Sequence, residues 1–231
     1  PIIFAQNGIV WWYFYGLDPK GKERQIEALD PGRRLWNEIG PERALGGVVY
    51  SANGLVAPGH VRNTSPGRNW LCIGEPDGSM SERVKSIQAV FGKADMGPIA
   101  EDIRYVLWDK LMSNMATGPI SCLTGSTVAE LQADPRLHRL ATIIMGEAMA
   151  IASALGTPID IDPVERFKKT KGGSHKVSML QDMEKGNQME IDAMLGVPYE
   201  LAQAAGIETP TLGTLVALLK QRARLMGLYR G

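Results

Sequence analysis

At Gly97-Pro98 the hydrophobic rhythm of this 231-residue chain changes, and that change bounds the fold more than any other feature. Upstream, short apolar runs at Ile2 to Ala5, Leu45 to Ser51, around Val61 and at Trp70 to Ile73 alternate with turn sequences. These turns are Gln6-Asn7-Gly8, Asn53-Gly54, Ala57-Pro58-Gly59 and Glu75-Pro76-Asp77-Gly78. The runs read as strands, with antiparallel hairpins between the later ones. Downstream, apolar residues recur at three- and four-residue steps, and the chain is nearly all helical. The expected organisation is a strand-rich segment over 1–97 and a helical one over 98–231. A strand is not stable alone, and the chain opens Pro-Ile-Ile-Phe-Ala without Met, so a piece of a longer polypeptide is expected.

Capping signals place the helices. Ser79 stands three residues before Glu82, ahead of Val84, Ile87 and Phe91 on one face. A helix from about 101 to 115 is expected to end ahead of Pro119, and Thr127-x-x-Glu130 opens another. Asp134-Pro135 starts a long helix to near Gly156, with Leu137, Leu140, Ile144 and Ala148 as its core stripe. Ser178 with Gln181 reads as a capping box closed at Gly186. A helix over 188–205 should bend at Pro198, and Thr209-Pro210 opens the last one. Residues 16–34 and the basic stretch 163–177 read as solvated. The aromatic run Trp11 to Tyr15 reads as local core for an irregular loop, with a self-associating patch as the alternative.

Composition excludes several classes of function. Lys plus Arg and Asp plus Glu both number 25, so no net field draws nucleic acid or an anionic membrane surface. No apolar run approaches the roughly 20 residues that cross a bilayer, and no basic leader precedes an apolar stretch. Two cysteines, Cys72 and Cys122, form neither a disulfide framework nor a metal pattern. A reduced, cytoplasmic setting is the expectation.

Chemistry is expected where polar groups break an apolar stripe. In the helix at 103–114, Ile103, Val106, Lys110 and Asn114 share one stripe, and its upper half is an ammonium and an amide. Glu190 breaks a second stripe, with Met194, Val197 and Leu201. Inward polar groups are unfavourable unless paired, so these residues should line a cleft. Bland readings exist for each. A helical lysine ordinarily snorkels to the surface, an N-cap serine such as Ser178 needs no other purpose, and Glu190 could pair with a core arginine. His175 reads as a surface or orienting residue. No metal spacing, glycine-rich phosphate motif or nucleophile with a visible base occurs.

Five stretches in this order resemble the ketopantoate reductase family: Gln6-Asn7-Gly8; Trp108-x-Lys110-Leu111-x-x-Asn114; Ser178-Met179-x-Gln181-Asp182; Glu190-Ile191-Asp192; and Gly206-Ile207-x-Thr209-Pro210. The resemblance runs from residue 1 to the last helix. It implies that 1–97 is the C-terminal part of a Rossmann-type NADP-binding domain. It likewise implies that 98–231 is an all-α substrate and dimerisation domain, like the C-terminal domain of 6-phosphogluconate dehydrogenase. The G-x-G-x-x-G fingerprint expected in such a domain is not in this chain, so about 90 residues, at roughly 30 per βαβ unit, are expected upstream.

The reaction implied is hydride transfer from NADPH to the ketone of a 2-oxo acid, giving a 2-hydroxy acid such as pantoate for coenzyme A biosynthesis. By the same resemblance Lys110 is the proton donor to the ketone oxygen, Asn114 and Ser178 hold substrate, and Glu190 binds the substrate's hydroxyl. Asn7 matches an asparagine between cofactor and substrate. The implied partners are the small-molecule 2-oxo acid, NADP(H) and a second copy in a homodimer, with no nucleic acid, membrane or metal. This chain departs from the pattern at Gly118, where the family commonly has a second asparagine, and near Thr127 and Val128, where another is expected. The alternatives are a reductase of another 2-oxo acid, or a non-catalytic helical module for binding or dimerisation.

Overall fold

The structure, a computed structural model, describes residues 1–230 except 18–23, 64–66, 68, 95, 97–99, 101 and 171–175. The chain falls into two compact units, Pro1–Leu107 and Trp108–Gly231. Gly97-Pro98, where the sequence rhythm changes, lies outside the described residues.

In the first unit β1 (Ile2–Ala5) pairs in parallel with β2 (Ala44–Tyr50), and β2 pairs antiparallel with β5 (Trp70–Gly74). Between β2 and β5 the hairpin β3 (Asn53–Ala57) and β4 (His60–Asn63) forms a separate two-stranded sheet. Pro58-Gly59 makes its turn, while Asn53-Gly54, expected to turn, lies within β3. A parallel pair needs a crossover, and residues 6–43 supply it, including α1 (Arg34–Glu38).

Strand alternation assigns the two faces of the sheet. On one, Leu45 and Ile73 pack with Val84, Ile87 and Phe91 of α2 (Glu82–Gly92). Ser81, not Ser79, is the N-cap of α2, its hydroxyl accepting the N–H of Val84. On the other face Gly46 and Gly74 leave backbone bare. A Cβ on Gly46 would stand 2.5 Å from Ile103 Cγ1 and 2.9 Å from the Trp12 ring, so helix and indole rest directly on the strands. Trp11, Trp12 and Tyr13 are buried, and Trp11 meets Phe4 and Trp36 edge-on, so the aromatic run is core. Residues 24–30 are not simply solvated either, because the buried Asp30 carboxylate accepts the N–H groups of Leu35 and Trp36 and caps α1.

Helix α3 (Ile103–Thr124) begins in the first unit and carries into the second. It does not stop before Pro119. The proline removes one backbone donor, and burial of Met115, Ala116, Ile120 and Cys122 around it outweighs that local loss. α4 (Val128–Ala133) has the full Thr127/Glu130 capping box, and α5 (Pro135–Ala154) is capped by Asp134. Ile144 and Ala148 of α5 are fully buried.

Of the basic stretch 163–177, residues 171–175 lie outside the described residues, and Lys168 and Lys169 are exposed as expected, but the stretch is not solvated throughout. α6 (Pro163–Lys168) starts on the Asp162 cap and buries Phe167 against the His138 ring. α7 (Ser178–Lys185) ends at Gly186 in the left-handed conformation. The expected bend at Pro198 is instead a widened π turn, Asp192–Gly196, running into α8 (Val197–Ala204). A proline cannot donate to the turn before it and its ring crowds that turn, and widening relieves both. α9 (Pro210–Leu225) closes the unit. Among the described residues no helix is long and apolar enough to cross a membrane.

Candidate active site

Lys110 and Asn114 sit one turn apart on α3, and both are half-buried. The fully covered flank of the helix is the neighbouring one, with Trp108, Leu111, Met112 and Met115. The polar pair therefore stands at the edge of the apolar core, not inside it. Next to Lys110, the Asp109 carboxylate forms a two-pronged ion pair with Arg166 of α6, Nε to Oδ1 at 3.0 Å and Nη2 to Oδ2 at 3.2 Å. Gln132 of α4 holds the same segment by donating to the carbonyls of Phe167 and Thr170. Two helices thus fix residues 166–170.

One turn beyond Asn114, Gly118 continues the stripe. The Met179 sulfur lies 3.3 Å from where a Cβ on Gly118 would stand, so the start of α7 rests on bare helix backbone. That contact seats Met179, the residue after Ser178, on the helix turn that follows Asn114. Ser178 does not cap its helix. Val177 occupies the N-cap, Gln181 reaches back to the Lys176 carbonyl, and Ser178 is exposed as the first helical residue. The capping explanation for this serine falls away.

Glu190 is not on an inward helical stripe. The helix begins only after it, and the Ile191 N–H donates to the Met189 carbonyl at 2.9 Å, which makes Glu190 the centre of a three-residue turn. Met189 and Ile191 are buried on either side and Glu190 is exposed. Among the described residues no arginine pairs with it. Asn7 belongs to the first unit, half-buried in the bend after the carboxyl end of β1, ahead of Gly8 at φ 80°. His175 lies outside the described residues.

The Asp109–Arg166 tether escaped sequence reasoning because Arg166 sits in a stretch that reads as solvated. Asp192 lies inside the Glu190-Ile191-Asp192 motif, but nothing local signals its partners Lys220 and Tyr229. The two cysteines are buried, and burial pushes the Cys122 thiol up to about 12, so it holds its proton at neutral pH and is no nucleophile. Among the described residues no group of three or more His, Cys, Asp or Glu side chains could hold a metal ion.

Comparison with known proteins places these residues in a family. The model of the ketopantoate reductase C-terminal domain matches residues 102–223. A 2-dehydropantoate 2-reductase of Mesorhizobium japonicum is 40% identical over 230 residues, covering 99% of this chain and 70% of that protein. A crystal structure from Ralstonia solanacearum MolK2, assigned to ketopantoate reductase, superposes with a TM-score of 0.89 at 35% identity, over 98% of this chain and 69% of the other. The 2-dehydropantoate 2-reductase of Methylococcus capsulatus gives 0.77 at 25% identity, over 97% and 66%. Matched along nearly its whole length by a named reductase and over its helical half by the family's own model, the chain belongs to the ketopantoate reductase family of oxidoreductases.

Proposed function

We propose that this protein reduces a 2-oxo acid, 2-dehydropantoate in the first place, to the corresponding 2-hydroxy acid, with Lys110 as proton donor. On this reading 1–97 is the end of the cofactor domain and 98–231 the substrate domain. The observation that carries it is the half-buried Lys110 and Asn114 on one stripe of α3, with Met179, the neighbour of Ser178 in sequence, packed on Gly118 one turn further along.

Asn7 is the described residue that fits a cofactor contact. Its amide sits past the carboxyl end of a parallel strand, where ligands of open α/β sheets bind. NADPH, when bound, supplies the hydride. As the carbon–oxygen π bond of the ketone breaks, negative charge grows on the oxygen. Lys110 stabilises that charge and gives the oxygen its Nζ proton, then regains one from solvent. Asn114 and Ser178 offer an amide and a hydroxyl to the polar end of the acid, and Glu190 accepts a hydrogen bond from the substrate's hydroxyl. Positioned donors of this kind contribute about 10²–10⁴-fold.

The test is NADPH oxidation by the full-length protein with 2-dehydropantoate. Lys110→Ala should lower kcat about 10²–10⁴-fold while leaving nucleotide affinity unchanged. Absence of oxidation with 2-dehydropantoate and with every branched 2-oxo acid, or a Lys110→Ala enzyme of full activity, overturns the reading.

One observation favours a second substrate within the same chemistry. The Met179 thioether covers Gly118 one turn beyond Asn114, so that end of the stripe is apolar. A 2-oxo acid with an apolar side chain would suit it, and ranking kcat/KM over a panel of 2-oxo acids decides between the two.

A further inference from the structure

The turn that presents Glu190 is held from one side by the last residues described. Helix α9 ends with Gly227 in the left-handed conformation, φ 72°, with the Leu228 N–H bonded to the Ala223 carbonyl and the Gly227 N–H to the Arg224 carbonyl. This Schellman stop reverses the chain so that it runs back past residues 188–192. There the Leu228 carbonyl accepts the Met189 N–H at 2.9 Å, and the Gly227 carbonyl accepts Gln188 Nε2 at 3.0 Å. On the far side of Glu190, Asp192 Oδ1 accepts the Tyr229 hydroxyl at 2.7 Å and pairs with Lys220 Nζ at 2.8 Å. Lys220 and Arg224 also lie over the Tyr229 ring.

The residues on both sides of Glu190 are thus anchored, while Glu190 itself is exposed. Leu228 and Tyr229 are buried, which marks their contacts as tertiary packing. Gly196 makes the same point by volume, since a Cβ there would meet Asp192 Oδ1 at 2.7 Å and Lys220 Nζ at 3.0 Å. Burial disfavours the charged Lys220, but hydrogen bonds to Asp192 and Tyr229 more than restore it, so its proton affinity is raised. Burial also raises that of Tyr229, which keeps the phenol a donor.

We propose that Tyr229, through Asp192 and Lys220, is a positioning residue for substrate recognition. The segment 227–229 clamps the Glu190 turn, and preference for a 2-oxo acid bearing a hydroxyl depends on residues that do not touch it. The inference rests on the reading of Glu190 as the group that binds that hydroxyl.

The experiment compares two substrates that differ only in the hydroxyl, 2-dehydropantoate and 3,3-dimethyl-2-oxobutanoate, in the full-length enzyme and its Glu190→Ala, Tyr229→Phe and Asp192→Asn variants. The wild type should prefer the hydroxylated acid, and Glu190→Ala should abolish the preference. Tyr229→Phe and Asp192→Asn should cut it about tenfold, the equivalent of one misplaced hydrogen bond. The loss should appear in KM for 2-dehydropantoate, with kcat and the constants for the other acid unmoved. Asp192→Asn strips an ion-pair partner and endangers folding, so Tyr229→Phe, which keeps the ring, is the deciding variant. If Glu190→Ala loses the preference while Tyr229→Phe keeps it, or if Tyr229→Phe weakens both substrates alike, the clamp has no role in recognition and the proposal is overturned. If the wild type shows no preference, or Glu190→Ala retains it, the reading of Glu190 itself fails and takes the inference with it.

Discussion

The carboxylate of Glu147, on α5, accepts the backbone N–H of Leu212 at 2.7 Å and so closes the N-terminus of α9 from another helix. Its other oxygen accepts the Thr211 N–H at 3.0 Å. Pro210 brings no N–H, and two of the remaining three unpaired donors of the helix start are met by an anion, where the helix dipole also favours one. Thr209, the residue at the N-cap, does no capping, and its hydroxyl is buried without a hydrogen-bond partner among the described residues.

Opposite effects are expected from changing these two side chains. Glu147→Ala leaves two partly buried N–H groups unsatisfied and should lower stability by about 1–3 kcal/mol. Thr209→Val keeps the shape and removes an unsatisfied hydroxyl, so it should be neutral or stabilising. Urea denaturation of both variants against wild type checks the pair, and equal losses would sink the capping argument.

Where the sequence was legible, the deciding contact is local. The Thr127/Glu130 box and the Asp134-Pro135 start are settled within four residues, and α4 and α5 begin there. Lys110 and Asn114 were legible as a stripe because helical spacing alone puts them together. What failed depends on distant partners. Pro119 reads as a stop only if the burial of its neighbours is ignored. Ser178 and Ser79 carry the right spacing for a cap, yet the caps fall at Val177 and Ser81. Glu190 reads as a stripe residue because nothing nearby announces that Leu228 will hold Met189 in a turn.

The bare strand backbone at Gly46 gives the sharpest packing prediction. A Cβ there would lie 2.5 Å from Ile103 Cγ1 and 2.9 Å from the Trp12 ring, both side chains fully buried. Neither can move without disturbing the sheet face. Gly46→Ala should cost about 1–3 kcal/mol through overpacking. Gly54→Ala, where nothing stands within 4 Å, is the control and should cost less than about 1 kcal/mol. A thermal melt of each, compared with wild type, reads the difference.

Arg166 offers a test of geometry as distinct from charge. Its guanidinium meets Asp109 with two parallel bonds and adds a third to the Asp109 carbonyl at 3.3 Å. Lysine keeps the charge and loses the fork. Arg166→Lys should therefore lower stability by about 1–2 kcal/mol, despite unchanged net charge. A melting temperature equal to wild type would show that simple attraction suffices.

Cys122 sets a dependence on alkaline pH. Burial comes first among the causes that raise its thiol from the ordinary 9.0 to about 12, and the proton is therefore held more tightly in the folded chain than in the unfolded one. Below pH 9 both states keep the proton and the thiol's contribution to stability is complete. As pH climbs from about 9 to 12 the unfolded chain loses its proton first, which favours unfolding, and the contribution drains away across that window. Cys122→Ala abolishes this titration, while the tyrosines and lysines still titrate in both proteins and cancel. The stability difference between wild type and Cys122→Ala should hold constant from pH 7 to 9 and shift against the wild type above that. Native wild type should also resist a thiol reagent at pH 8 and react only as fast as it unfolds. Rapid modification of Cys122 in the folded enzyme, or a difference that stays flat to pH 11, would contradict a buried, protonated thiol.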